Sequence, residues 1–187
     1  MILPVVAYGD PVLRKKADEL NPKAEFLPKL IEDMFETMYN ASGVGLAAPQ
    51  VGLPYRLFVI DADAMDKENI KGMKKVFLNP LILSEEGEEW DFEEGCLSIP
   101  GIRKNVSRKA KITIEYVDCQ TGKKLTETYD GLVARVIQHE YDHIEGVVFV
   151  DRLTSLQKKL LKSKLSDISK GNVSTEYRMK FPLGKGR

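Results

Sequence analysis

Both histidines of this 187-residue chain fall in one five-residue stretch, His139-Glu140-Tyr141-Asp142-His143. On a helix, residues four apart lie one turn apart on the same face, so the two imidazoles can grip a single metal ion. The flanks favour a helix. Asp130-Gly131 offers a start, because Asp accepts hydrogen bonds from orphan N–H groups. Leu132, Val133, Val136, Ile137 and Ile144 make the segment apolar over most of its surface, and Gly146 can end it with a left-handed cap. The segment reads as a buried helix around which the rest of the chain must close. Solvated helix faces also carry His-x-x-x-His pairs, but two histidines and a glutamate in a buried helix need partners, and a metal supplies one for all of them. Glu140 then stands ready to move protons for a metal-activated water, the signature of a hydrolase.

Two histidines leave a third ligand to find. The extended metzincin pattern needs a histidine six residues after the second one, and that position is Phe149. A thermolysin-like solution needs a later carboxylate. The choices are Glu145, Asp151, Asp167 and Glu176, and nothing around them favours ligation. Two cysteines remain. Cys119 lies in Asp118-Cys119-Gln120-Thr121-Gly122, a hairpin turn or strand end where a free thiol is expected. Cys96 lies in Glu94-Gly95-Cys96-Leu97-Ser98, where Gly95 allows close backbone approach. One cysteine plus two histidines is a three-ligand catalytic set that keeps a position open for water.

The other segments predict an α+β fold, with antiparallel strands packed around the central His-Glu-x-x-His helix. An N-terminal helix over 24–40 carries Leu27, Leu30, Ile31, Met34 and Met38 at helical spacing, with Pro28 tolerated in its first turn. Strands are expected over 55–60, 76–83, 111–117 and 124–129, with a polar loop over 61–75. The acidic run 85–94 reads for the most part as a solvated hairpin. A C-terminal helix starts at Thr154 with a Gln157 capping box, packs Leu156, Leu160, Leu161, Leu165 and Ile168 into the core, and ends at Gly171. One catalytic domain over 1–187 is expected, with a basic, loosely packed tail over 172–187.

Charge decides against some functions. Lys plus Arg equals Asp plus Glu at 28 each, so bulk charge is not built to hold nucleic acid. Two cysteines in dissimilar settings make no disulfide framework, which suits a reducing cytosol. The N-terminus shows no leader pattern and no stretch is long enough to span a bilayer. A cytoplasmic monomer is expected.

Three separated motifs now agree with one family. They are Gly43-Val44-Gly45-Leu46-Ala47-Ala48-Pro49-Gln50, then Glu94-Gly95-Cys96-Leu97-Ser98, then Gln138-His139-Glu140-Tyr141-Asp142-His143. With Gly9-Asp10-Pro11-Val12-Leu13-Arg14, and in this order and spacing, the chain resembles the peptide deformylases from about residue 2 to about residue 165. The resemblance implies removal of the N-formyl group from formyl-methionyl peptides, with release of formate. It implies one divalent metal ion per chain on Cys96, His139 and His143, ferrous iron in the native enzyme, with nickel, cobalt or zinc able to occupy the site. It also implies Glu140 as general acid and base, with the Gln50 side chain and the Leu97 backbone N–H as oxyanion donors.

Gly43 and Gly45 would let the peptide approach and pair by main-chain hydrogen bonds. Val44, Leu97, Leu132 and Val136 are expected to line a methionine pocket, with Gly95 and Arg103 beside the substrate backbone. Asp142 is expected to make a supporting contact. A thiolate beside ferrous iron predicts loss of activity in air. Since the family's substrates come from the ribosome, a transient ribosome contact is expected, with the basic tail as its candidate. A zinc endopeptidase on the same helix is the first alternative, and a protein with a closed structural metal site is the second.

Overall fold

Leu57, Phe58, Val59 and Ile60 are all fully buried, although successive side chains of a strand point to opposite faces. A strand can be apolar on both faces only if both are covered, and here each face meets a helix. Leu57 and Val59 pack with Leu27, Leu30, Met34 and Met38. Phe58 and Ile60 pack with Phe77, Ile112, Ile114 and Ile137. The protein is therefore layered helix, sheet, helix.

A computed structural model describes residues 1–183. Its elements in chain order are β1 (Val5–Val6), α1 (Leu27–Asn40), β2 (Gly45–Ala47), β3 (Leu57–Asp61), β4 (Lys74–Cys96), β5 (Ile99–Val117), β6 (Lys124–Asp130), α2 (Gly131–Ile144), α3 (Ser155–Ser169) and β7 (Met179–Lys180). Strands β2 to β6 form one sheet in sequence order, every pair antiparallel. The short β1 and β7 pair in parallel. The fold is α+β.

Helix α1 takes the predicted stripe, with Pro28 in its first turn, and Met34 and Met38 are wholly buried. Burying each such side chain contributes about 1.5–3 kcal/mol. Ser42, at φ +54°, follows the helix and turns the chain toward β2. Helix α2 begins after Asp130, whose side chain makes no capping hydrogen bond, so the predicted cap is absent. Gly146 is left-handed at φ +77°, and a Cβ there would meet the Arg14 carbonyl oxygen at 2.8 Å. The Thr154–Gln157 capping box of α3 is formed.

Three expectations are corrected. The acidic run 85–94 is not a solvated hairpin of its own. It continues β4 to 23 residues, because β5 sets a basic residue opposite several of its acids, as at Glu86–Lys111, Glu89–Lys109 and Glu94–Lys104. Cross-strand pairs of opposite charge favour that register. On α3, Leu161, Leu165 and Ile168 are buried but Leu156 and Leu160 are about 70% exposed, 68% and 72%. Leu160 sits about 100° around the helix from Leu161, off the core stripe.

The tail is not loosely packed over its described part. Val173, Met179 and Phe181 pack on the cluster that holds Ile99, Phe149 and Leu165. The Val5 and Ala7 N–H groups donate to the Arg178 and Lys180 carbonyls, both at 2.9 Å. From Val173 to Phe181 half-buried and exposed residues alternate, a period-two signal in the sequence that charge had obscured. Residues 184–187, the end of that predicted tail, lie outside the described residues.

Candidate active site and metal centre

Helix α2 presents His139 and His143 one turn apart, and the β4–β5 turn brings Cys96 to them. Cys96 Sγ lies 3.3 Å from His143 Nε2. One donor atom from each of Cys96, His139 and His143 lies within 4.8 Å of the other two. A thiol and two imidazoles that converge at this spacing, on a buried helix face, suit one divalent transition metal. Glu145, Asp151, Asp167 and Glu176 do not join this cluster.

Buried charges hold the cluster in place. His139 Nδ1 lies 2.8 Å from Glu94 Oε2. Arg108 donates to both oxygens of Glu94, at 2.6 and 2.9 Å, and to Asp142 at 2.8 Å. Arg152 donates twice to Asp142, at 2.6 Å each. Arg135 donates to Glu94 at 3.0 Å and lies over the Trp90 ring. Burial alone would raise the Glu94 pKa, but the bonds from Arg108 and His139 hold it well below the usual carboxylate range. The two histidines are pushed in opposite directions. Burial works against a charged His139, yet the bonds to Cys96 and Glu94 outweigh it and raise its pKa. Burial, and then the charge of His139, lower that of His143.

Glu140 is buried, and burial pushes its pKa up to about 7. Its Oε2 and the Nδ1 of His143 are buried without a hydrogen-bond partner among the described residues. Such orphaned atoms call for a ligand or water at the site. Gly45 of β2 faces Glu140 at a distance that only a glycine permits, since a Cβ there would lie 2.8 Å from the Glu140 Cδ. Gln50 is buried and uses both ends of its amide. Its Oε1 accepts from the Ala47 N–H at 2.8 Å, which aims Nε2 at Cys96 Sγ, 3.4 Å away.

A cavity of about 1130 Å³ opens beside these groups. Among the predicted residues, Gly43, Val44, Gly45, Gln50, Gly95, Cys96, Leu97, Arg103, Val136, His139 and Glu140 line it. Leu132 does not, because it sits one turn before Val136, closer to the start of α2. His143 lies behind the lining as the deeper ligand candidate, 1% exposed. Arg103 is mostly exposed and stands near Glu93 at 4.0 Å. Cys119 does not join this cluster. It sits in the β5–β6 turn against the α1 side of the core, with its thiol pushed up to about 11 by burial and then by Asp118.

Sequence reasoning missed two parts of the site. Glu94 was hidden in an acidic run, although its place next to Gly95-Cys96 was a signal. The segment Ser174–Tyr177 also lines the cavity, with the Tyr177 hydroxyl donating to the Leu97 carbonyl at 2.7 Å. Burial, and then the charge of Cys96, push the Tyr177 pKa up to about 12, so the hydroxyl keeps its proton.

Comparison with known proteins gives one consistent result. A family profile described as polypeptide deformylase matches residues 2–159. The chain is 57% identical to the peptide deformylase of Christiangramia forsetii, covering 99% of this chain and 98% of that one. It is also 57% identical to that of Cytophaga hutchinsonii, covering 99% and 100%. Among solved structures it is similar to a peptide deformylase from Legionella pneumophila, with a TM-score of 0.80, 42% identity, and coverage of 92% of this chain and 98% of that one. Among the described residues no helix is long and apolar enough to cross a membrane.

Proposed function

The chain belongs to the polypeptide deformylase family, and on that premise we propose that Cys96, His139 and His143 hold one divalent metal and that Glu140 moves the proton. The protein is a hydrolase that removes the formyl group from the N-terminus of nascent formyl-methionyl chains and releases formate. The convergence of the three donor groups carries the metal reading. When bound, the metal supplies the Lewis acidity that makes a water nucleophilic at neutral pH. Ferrous iron is the native ion in this reading, with zinc, nickel or cobalt as substitutes. The mixed thiol and imidazole set supports any of them.

The remaining work falls to the chain itself. Glu140 accepts the proton of the attacking water and returns it to the amine that leaves. Its burial favours the protonated form, and that poises it for the second transfer. Gln50 Nε2 and the Leu97 N–H donate to the oxygen of the formyl carbonyl as it gains charge. Gly43 and Val44 lead into β2, an edge strand that begins at Gly45, and an extended peptide can add there as a strand. Val44, Leu97 and Val136 shape the pocket for the methionine side chain, and Gly95 and Arg103 stand beside the substrate backbone. Glu94 orients His139 from behind.

In this reading residues 1–187 are one catalytic domain, in which the antiparallel strands are built around α2. A cytoplasmic monomer in brief contact with the ribosome fits an enzyme whose substrates are nascent chains. Formate release from a short formyl-Met peptide tests the assignment. Metal-loaded protein should release formate, while the Glu140→Ala variant should not, with metal content unchanged. Equal activity in the variant would overturn the role of Glu140.

A further inference from the structure

Residue Leu97 is held from three directions, and one of them is the C-terminal segment. A Cβ on Gly43 would meet the Leu97 Cδ1 at 2.9 Å, so the side chain lies tight against the β2 approach. The neighbouring Ser98 carbonyl accepts from the Tyr8 N–H at 2.8 Å. The Leu97 carbonyl accepts from the Tyr177 hydroxyl at 2.7 Å. Tyr8 follows β1 and Tyr177 precedes β7, and these two strands pair with each other. Both ends of the chain thus grip the turn that carries Cys96. The Tyr177 backbone is fixed in turn, because the Thr175 hydroxyl donates to the Tyr177 carbonyl at 2.9 Å. The segment lies beyond the residues that the family profile matches, which end at 159.

We propose that Tyr177 is a positioning residue for deformylation, and that its hydroxyl fixes the Leu97 backbone so that the Leu97 N–H points at the reacting carbonyl. The inference rests on the reading of Leu97 as an oxyanion donor. A donor of this kind works by being in place before charge develops. The peptide before Leu97 carries the N–H and the peptide after it carries the C=O. Anchoring the C=O restricts the two dihedrals between them, and so restricts the direction of the N–H. Nothing else among the described residues donates a hydrogen bond from a side chain to the Leu97 carbonyl. The same tyrosine lines the cavity, so its ring adds a wall that binds substrate in ground and transition state alike.

The two roles separate in kinetics. Tyr177→Phe keeps the wall and removes the bond. Its kcat should fall about tenfold with KM within twofold, because the Leu97 N–H that the bond aims acts on the oxygen as charge develops in the transition state. Tyr177→Ala should raise KM as well. Loss of one bond should lower Tm by no more than about 2–4 °C. A readout independent of activity is the Ser98 amide resonance in the metal-free protein, whose shift reports on the hydrogen bond to the carbonyl of the same peptide unit. It should move in Tyr177→Phe. Thr175→Val should move it in the same direction and cost less kcat, which covers the case of a poorly folding Tyr177 variant. A Ser98 shift with kcat unchanged would overturn the positioning role, and no Ser98 shift would overturn the bond itself. Gln50→Ala in the same assay separates the two readings. If it costs activity and Tyr177→Phe does not, the Tyr177 role fails while the oxyanion site stands on Gln50. If neither costs activity, both fail.

Discussion

Gly45 and Glu140 occupy adjoining space: a Cβ on Gly45 would stand 2.8 Å from both the Cγ and the Cδ of Glu140. Gly45 is buried on β2, paired to β3, and Glu140 is buried on a face of α2, so the contact joins two elements of regular structure. Gly45→Ala should therefore displace the carboxylate by the order of an ångström. A displacement of that size costs about a hundredfold in rate. Formate release should fall by that factor while metal content stays at the wild-type level. Activity within twofold of wild type would show that Glu140 can move aside without consequence.

Glu94 neutralises a basic cluster. It accepts from Arg108 and Arg135 and contacts His139, with its side chain 4% exposed. Its removal leaves the buried Arg135 guanidinium without a carboxylate and Arg108 with Asp142 alone, and breaking a buried pair of this kind costs about 3–5 kcal/mol. If His139 is a metal ligand, as proposed, loss of the group that orients it also weakens metal binding by about 10–100-fold. Urea unfolding and a competitive metal titration of Glu94→Ala should show both effects together. A stable variant with normal metal affinity would mean that His139 is held without Glu94, by its packing against Phe149.

The same carboxylate gives a pH signature. The folded pKa of Glu94 lies well below its ordinary value of about 4.5. A depressed pKa contributes stability that is fully present above the unfolded value and is lost as pH falls toward the folded one. Metal-free protein should lose stability progressively below pH 4.5, and Glu94→Gln should lose less over that window. Urea midpoints measured through the acid range give the two slopes. Equal slopes would assign acid sensitivity to other carboxylates.

In the proposed mechanism Gln50 joins two tasks that a single substitution separates in magnitude. Loss of one oxyanion donor costs about 10²–10³ in kcat. Loss of the bond from the Ala47 N–H leaves a buried donor unpaired, which costs about 1–3 kcal/mol. Gln50→Ala should show both, with kcat falling far more than folding is disturbed. A loss of stability without a loss of kcat would leave Gln50 as a loop support only.

Much of this molecule is written in short-range pattern. The stripe Leu27, Leu30, Met34, Met38 predicts α1, and Lys111–Val117 predicts the half of β5 that pairs with both β4 and β6, because both depend on periodicity within a few turns or residues. The polar loop before β4 and the capping box of α3 are read from neighbouring residues in the same way. Where charge and periodicity pointed in opposite directions, the sequence misled. The acidic run looked solvated, and the basic tail looked loose, until partners distant in sequence appeared beside them. Leu156 and Leu160 misled in the other direction, since helical spacing alone does not say which of two overlapping stripes faces the core.

What the sequence determined by itself is local: two histidines on one helix face, a glutamate between them, and a cysteine flanked by Gly95 and Leu97. Spacing along a helix sets those relations without reference to any other part of the chain. What only the tertiary structure decided is which distant groups meet. Cys96 reaches His143 across 47 positions, Arg108 of β5 meets both Glu94 of β4 and Asp142 of α2, and Tyr177 returns to Leu97 from 80 positions away. Such meetings depend on strand register and on how the layers stack, and a buried ion pair leaves no periodic trace in the sequence that forms it.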